Sequence, residues 1–131
     1  MSKRTSRSSL PNNAVASAFA ACVFHHIEPR QHERLFTEIR RVLKPSGYLM
    51  IYEHNPFNPL TLRAVNTCPF DENAILIRAR TLRGRLASVG FEQLQIRYRV
   101  FFPKMLHRFR YLEDSLGWLP LGAQYYVRAR K

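Results

Sequence analysis

Residues 18–59 read AFAACVFHHIEPRQHERLFTEIRRVLKPSGYLMIYEHNPFNP, and the order of patterns in this stretch decides the fold. Small and apolar residues fill positions 15–24, which predicts a strand buried on both faces, as in a parallel sheet. Pro29 suits the first turn of a helix, because its missing N–H costs nothing there. One helical stripe of apolar side chains follows: Leu35, Phe36, Ile39, Val42 and Leu43.

A turn and a second apolar run complete this unit. Pro45 and Gly47 predict the end of the helix, and Tyr48–Glu53 then reads as a second buried strand. Two parallel strands joined by one helix require a right-handed crossover. Polar residues follow both strands, and open α/β sheets bind their ligands at this carboxyl edge.

The flanking sequence predicts a tail and several smaller elements. The first 15 residues are mostly polar and basic, which predicts a mobile tail and leaves residues 16–131 as one domain. The sequence after this unit predicts a loop at Asn55–Pro59, a short helix at Leu60–Asn66 and a second short helix capped by Asp71. A longer helix is predicted within Ile75–Val89, and Gly90 ends it. The remaining predicted elements are a strand at Phe91–Phe101, a basic helix at Lys104–Leu116 and a strand at Gln124–Arg130.

Composition narrows the class of protein. With 131 residues, of which 46% are hydrophobic and 12% aromatic, the chain can build one folded core. Two cysteines, Cys22 and Cys68, are too few for a disulfide framework, which predicts a reducing, cytoplasmic location. No apolar run reaches the roughly 20 residues of a membrane-spanning helix, so no membrane partner is expected.

The charge is strongly positive and unevenly distributed. Lys and Arg number 21 against 9 acidic residues, for a net charge of +12, and Glu92 is the single acid between Leu76 and Arg110. No nucleic-acid recognition motif accompanies this excess, so at most non-specific binding to nucleic acid is expected.

The segment RRVLKPSGYLMI at residues 40–51 resembles the helix–turn–strand motif of class I S-adenosylmethionine-dependent methyltransferases of the type 11 class. The resemblance covers about residues 16–131 and implies the C-terminal half of that Rossmann-like α/β fold. It implies a partial sheet in the family order 4-5-7-6, with helices on both faces. The four strands would be Ala18–Phe24, Tyr48–Glu53, Gln93–Phe101 and Gln124–Arg130.

The chain departs from the family pattern in its N-terminal half. The five glycines, at positions 47, 84, 90, 117 and 122, form no glycine-rich cofactor loop, and no acidic ribose partner follows a preceding strand. The match fades upstream of about Ala16, which predicts a chain truncated by a shortened gene, a frameshift or a misassigned start. Since the cofactor pocket lies where the strand order reverses, this chain is expected to supply one wall of it.

The resemblance implies that Ala21, Cys22, Phe24 and His25 lie beside S-adenosylmethionine. His25 or His26 is a candidate general base, because imidazole titrates near neutral pH. Core packing of Phe24 and Cys22 is the alternative interpretation. A metal site at Cys22, His25 and His26 is not expected, because zinc requires about four converging ligands.

Glu53, His54, Asn55 and Asn58 follow the second strand, where the resemblance implies contact with the substrate. The alternative is that the asparagines hydrogen-bond the backbone of their own loop. Four arginines, at positions 78, 80, 83 and 85, form either a phosphate-binding face or a solvated one, and the sequence favours the solvated face.

These observations predict a methyltransferase that acts on a small-molecule acceptor and binds S-adenosylmethionine weakly or not at all as an isolated chain. We expect the isolated chain to be inactive. The alternative is a non-catalytic remnant, or an interaction module that uses its basic surface or open sheet edge. The unguarded strand at residues 18–24 predicts self-association or docking of a complementing chain.

Overall fold

A computed structural model describes residues 8–58, 63, 75–99, 108–109, 111–112 and 114–131. Four strands form one sheet: β1 (Val15–Ala21), β2 (Leu43–His54), β3 (Glu92–Arg99) and β4 (Gln124–Arg130). Two helices, α1 (Pro29–Val42) and α2 (Ala79–Ser88), pack against it. The helix predicted after Asp71 and, apart from Arg63, the one predicted at Leu60–Asn66 lie outside the described residues. Of the helix predicted at Lys104–Leu116, residues 104–107, 110 and 113 lie outside them, and the described residues form 3-10 and other turns instead of an α-helix.

The sheet has the order β1-β2-β4-β3. Strands β1 and β2 are parallel, whereas β4 lies antiparallel between β2 and β3. This arrangement confirms the predicted family order 4-5-7-6. Because β3 therefore runs in the same direction as β1 and β2, the carboxyl ends of these three strands share one edge of the sheet.

The core lies on one face of the sheet, and both described helices cover that face. Alternate residues of β2 and β4 are buried there, including Leu49, Ile51 and Val127, and they pack in one cluster with Phe36 of α1 and Leu82 of α2. The expectation of helices on both faces is therefore wrong for the described residues.

Strand β1 is also less buried than its composition predicts. Phe19 is 68% exposed because its side chain lies on the face that the described helices do not cover. Its ring meets that of Tyr52 at 5.5 Å between centroids. Apolar composition alone does not distinguish a strand buried on two faces from an edge strand with one open face.

Boundaries differ from the prediction at both ends of the first unit. Strand β1 ends at Ala21, and Phe24–His26 form a 3-10 turn instead of continuing the strand. Strand β2 already begins at Leu43, so the turn residues belong to its start. A Cβ at Gly47 would lie 2.9 Å from the Ala16 carbonyl oxygen, which explains why a residue without a side chain occurs there.

The segment that precedes β1 is held against α1. The Arg41 guanidinium donates to Asn12 Oδ1 at 2.7 Å and to the Leu10 carbonyl oxygen at 2.8 Å. The Ser8 N–H donates to Glu38 Oε1 at 2.9 Å. Residues 8–14 of the predicted mobile tail are thus anchored by contacts that no local sequence pattern indicates.

Candidate functional site

Glu53 joins the ends of β1 and β2 at the carboxyl edge. Its Oε1 accepts a hydrogen bond from the Phe24 N–H at 2.7 Å, and its Oε2 lies 2.7 Å from His25 Nδ1. Both side chains of the Glu53–His25 pair are almost fully buried. Since a carboxylate only accepts, Nδ1 carries the proton, and the pair fixes the orientation and tautomer of the ring.

His32 of α1 holds the same 3-10 turn from the other side. Its Nε2 lies 3.1 Å from the Phe24 carbonyl oxygen and 3.0 Å from that of Ile27, so Nε2 donates. Its Nδ1 then accepts from Arg85 of α2 at 2.7 Å. Burial of the ring lowers the pKa of His32, and the Arg85 charge acts in the same direction. His32 is therefore a neutral imidazole at neutral pH.

The four residues predicted to contact the cofactor separate into two pairs. Ala21 is exposed at the end of β1, and Cys22 is a partly buried cysteine in a left-handed conformation with φ +53°. Phe24 and His25 are buried. Phe24 packs on the ring of Phe36 at 4.9 Å, so the core interpretation describes its position.

The histidines at this edge lie close together. The His25 ring centroid is 4.0 Å from that of His26 and 5.3 Å from that of His54. His25 is 2% exposed, whereas His26 is exposed, so His26 is the more accessible of the two candidate bases. Among the described residues, no group of three His, Cys, Asp or Glu side chains is placed to hold a metal ion.

The asparagines after β2 clamp two loops together. Asn55 is 1% exposed, and its amide donates to the carbonyl oxygens of Pro120, at 3.0 Å, and Gly122, at 2.7 Å. Its Oδ1 accepts from the Phe57 N–H at 3.1 Å. The Asn58 amide reaches the Leu121 carbonyl oxygen at 2.8 Å. Asn55 therefore makes a hydrogen bond within its own loop, as the alternative interpretation predicts, and both asparagines also bond to the distant turn at residues 120–122.

A turn is predicted at residues 117–122, but the sequence does not indicate the hydrogen bonds that Asn55 and Asn58 make to it. It also does not indicate that His32 pairs with Arg85. The pairing of His32 with Arg85 depends on contact between α1 and α2, and no pattern of neighbouring residues in the sequence predicts that contact. The four arginines of the predicted basic face also divide, because Arg85 is directed to His32 while Arg78, Arg80 and Arg83 are exposed.

Comparison with known proteins gives a consistent result. A family model described as a methyltransferase domain matches residues 3–51. This match begins upstream of Ala16, whereas the sequence predicts that the resemblance fades there. No curated protein matches the chain.

Solved structures match nearly the whole chain. A SAM-dependent methyltransferase from Archaeoglobus fulgidus is 18% identical, with a TM-score of 0.74 over 94% of this chain and 62% of its own. A possible histamine N-methyltransferase from Thermotoga maritima is 19% identical, with a TM-score of 0.71 over 95% of this chain and 59% of its own.

The phosphoethanolamine N-methyltransferase 2 of Haemonchus contortus, in complex with phosphomonomethylethanolamine and S-adenosylhomocysteine, is 14% identical. Its TM-score is 0.59 over 94% of this chain and 35% of its own. The chain thus spans about three-fifths of the length of the first two structures. None of the helices in the described part of the chain is both long and apolar enough to span a membrane.

Proposed function

Because this chain has the fold of class I S-adenosylmethionine-dependent methyltransferases, we propose that it forms the acceptor side of such an enzyme and acts on a small-molecule acceptor. The observation that carries the proposal is the sheet order β1-β2-β4-β3, with one antiparallel strand inserted. It brings the carboxyl ends of β1 and β2 together under a fixed turn, and such an edge binds ligands in open α/β sheets.

The residues at this edge fit one side of the cofactor. Ala21 and Cys22 present a small apolar surface at the end of β1, which suits contact with an adenine ring or a methionine chain. The Glu53 carboxylate is engaged by Phe24 and His25, which leaves it poorly placed to bind ribose hydroxyls. When bound, S-adenosylmethionine supplies a methyl group activated by its sulfonium.

Positioning is the contribution that this chain's own residues make. Glu53 and His32 hold the backbone of the 3-10 turn from opposite sides, so the end of β1 keeps one conformation. Holding reacting groups in a fixed geometry can lower a barrier by several kcal/mol, roughly 7–11 in favourable cases. His26, exposed beside this turn, is the residue we propose as general base where the acceptor must lose a proton.

A small molecule is the proposed acceptor class. Two of the matched structures are named for small amines, histamine and phosphoethanolamine. Glu53, His54, Asn55 and Asn58 remain the proposed acceptor-side residues, with Glu53 and Asn55 acting through the loops that they hold. The proposed location is the reducing cytoplasm, because the chain has two cysteines, too few for a disulfide framework.

The proposal is tested by mapping S-adenosylhomocysteine onto the isotope-labelled chain by NMR. We expect weak binding, with a Kd above about 100 μM, and shifts concentrated at Ala21 and Cys22. Replacing the exposed Ala21 with Arg should abolish those shifts. Replacing Ala16 with Arg, at the other end of the same strand, is the matched control and should leave them unchanged.

Two outcomes would count against the proposal. Shifts distributed away from the carboxyl edge, or none at millimolar ligand, would remove the cofactor site from β1. Micromolar binding by the isolated chain, roughly −8 kcal/mol, would show that the chain supplies more than one wall.

A further inference from the structure

A second concave site is lined by residues of other elements than β1. It is a cleft of about 860 Å³ between α2, β3 and the turn at residues 118–122. A volume of this size suits a small molecule. Its apolar wall consists of Phe57, Ile96, Tyr98, Trp118 and Leu121.

The apolar groups of the cleft are unusually open to solvent. Phe57, Trp118 and Leu121 are each more than half exposed, and Trp118 reaches 68%. Large exposed apolar groups that gather around one concavity mark ligand or partner sites more often than isolated ones do.

Three arginines line the same cleft. Arg78, Arg80 and Arg83 come from the start of α2, and all three are exposed. The Arg78 guanidinium lies 5.1 Å from the centre of the Phe57 ring, which is a cation–π contact between the basic and the aromatic residues of the cleft. The ion pairs found among the described residues involve other arginines, at positions 30, 41 and 99. The cleft therefore combines a cationic rim with an apolar wall.

The wall of the cleft is held in place by hydrogen bonds. Asn55 and Asn58 bind the carbonyl oxygens of residues 120–122, and the Tyr98 N–H donates to the Gly117 carbonyl oxygen at 2.7 Å. A preorganised wall lowers the entropy that a ligand must lose on binding.

We propose that this cleft binds a small amphipathic anion, with a phosphate or carboxylate head group on the arginines and an apolar body against Trp118 and Phe57. Guanidinium groups favour these planar or multidentate oxyanions. The site is separate from the β1 edge, and its occupancy does not depend on methyl transfer.

Trp118 is the single tryptophan of the chain, so its fluorescence reports on the cleft directly. The full chain is titrated with n-hexyl phosphate, n-hexanoate, n-hexanol and inorganic phosphate, and calorimetry measures the same four affinities. We expect both amphipathic anions to bind at least about tenfold more tightly than hexanol or inorganic phosphate. The difference should shrink as salt rises.

Variants assign the binding to the cleft. Arg80→Gln combined with Arg83→Gln should weaken n-hexyl phosphate about tenfold or more. Arg30→Gln removes one exposed charge outside the cleft and should change the affinity less than twofold. Trp118→Phe removes the optical signal and should retain calorimetric binding.

Each other result would overturn the proposal. Equal binding of inorganic phosphate would mean an adventitious ion only, and equal binding of hexanol would mean an apolar contact without recognition of charge. No response from any probe, by fluorescence and by calorimetry, would show that the chain itself covers the cleft. Unchanged affinity in the double arginine variant, with its circular dichroism intact, would place the anion elsewhere.

Discussion

Removing the Glu53 side chain should destabilise the whole domain, because this one group satisfies two buried donors. Glu53→Ala leaves the Phe24 N–H and the His25 ring N–H without their acceptor, in a site where the side chains of Glu53 and His25 are almost fully buried. An unsatisfied buried donor costs about 1–3 kcal/mol. With both donors left unsatisfied, we expect a loss of about 2–6 kcal/mol.

The Glu53→Gln variant removes the charge of the side chain while keeping its shape. Glutamine keeps the volume and one oxygen for the Phe24 N–H, and its amide can face the His25 ring only if that ring changes tautomer. We expect it to lose about 1–2 kcal/mol. The control is Glu28→Gln, whose partner Arg30 is exposed, and it should stay within about 0.5 kcal/mol of the wild type.

Urea unfolding followed by circular dichroism and by Trp118 fluorescence measures these free energies of unfolding. A double-mutant cycle with His25→Phe should give a coupling energy of about 0.5–3 kcal/mol between positions 25 and 53. If Glu53→Ala costs no more than Glu28→Gln, or if the coupling energy is zero, the pair does not hold the turn.

Three further predictions rest on other parts of the fold. Because burial lowers the pKa of His32, the free energy of unfolding should fall as pH drops below about 6.5, by at most about 1.4 kcal/mol per pH unit. Urea titrations across this range should show a smaller slope for His32→Gln, which keeps the donor to the turn, and an unchanged slope would contradict the assignment. Gly122→Ala should be strongly destabilising, because the added Cβ would lie 2.5 Å from the Arg99 carbonyl oxygen of β3. Gly84 of α2 has open space around it, so Gly84→Ala should increase the free energy of unfolding by about 0.5–1 kcal/mol in the same urea assay. Phe19→Lys should reduce self-association through the β1 edge, as measured by light scattering, and equal scattering by both proteins would show that this edge is covered.

The sequence predicts the architecture well, because the signals involved are local and periodic. The apolar stripe of α1 lies in or against the core, and Pro29 is in the first turn of that helix. Strand β4 has the predicted limits, Gln124–Arg130. The helix that Gly90 was expected to stop ends just before it, and Gly90 has a φ of +99° that suits glycine.

The details of the site could not be predicted in the same way, because they depend on contacts between distant segments. The predicted strand continues to Phe24, whereas the chain turns after Ala21, and Phe24, His25 and His26 form a 3-10 turn. Asn55 bonds to residues 65 and 67 positions away in sequence. No periodicity encodes such distances, and the match of hydrogen-bonding groups appears only once the sheet has formed.

These contacts divide the carboxyl edge into a rigid support and a small accessible rim. Glu53 from β2, His32 from α1 and Asn55 from the following loop bond to backbone groups of this chain, and Glu53 and His32 also bond to the side chains of His25 and Arg85. Groups engaged in this way cannot also bind a ligand without breaking a buried hydrogen bond. Among the described residues at this edge, Ala21, Val23 and His26 are exposed, and His54 is partly exposed. Ligand contacts on this side must therefore come from that rim, while the buried polar groups act through the precision with which they hold it.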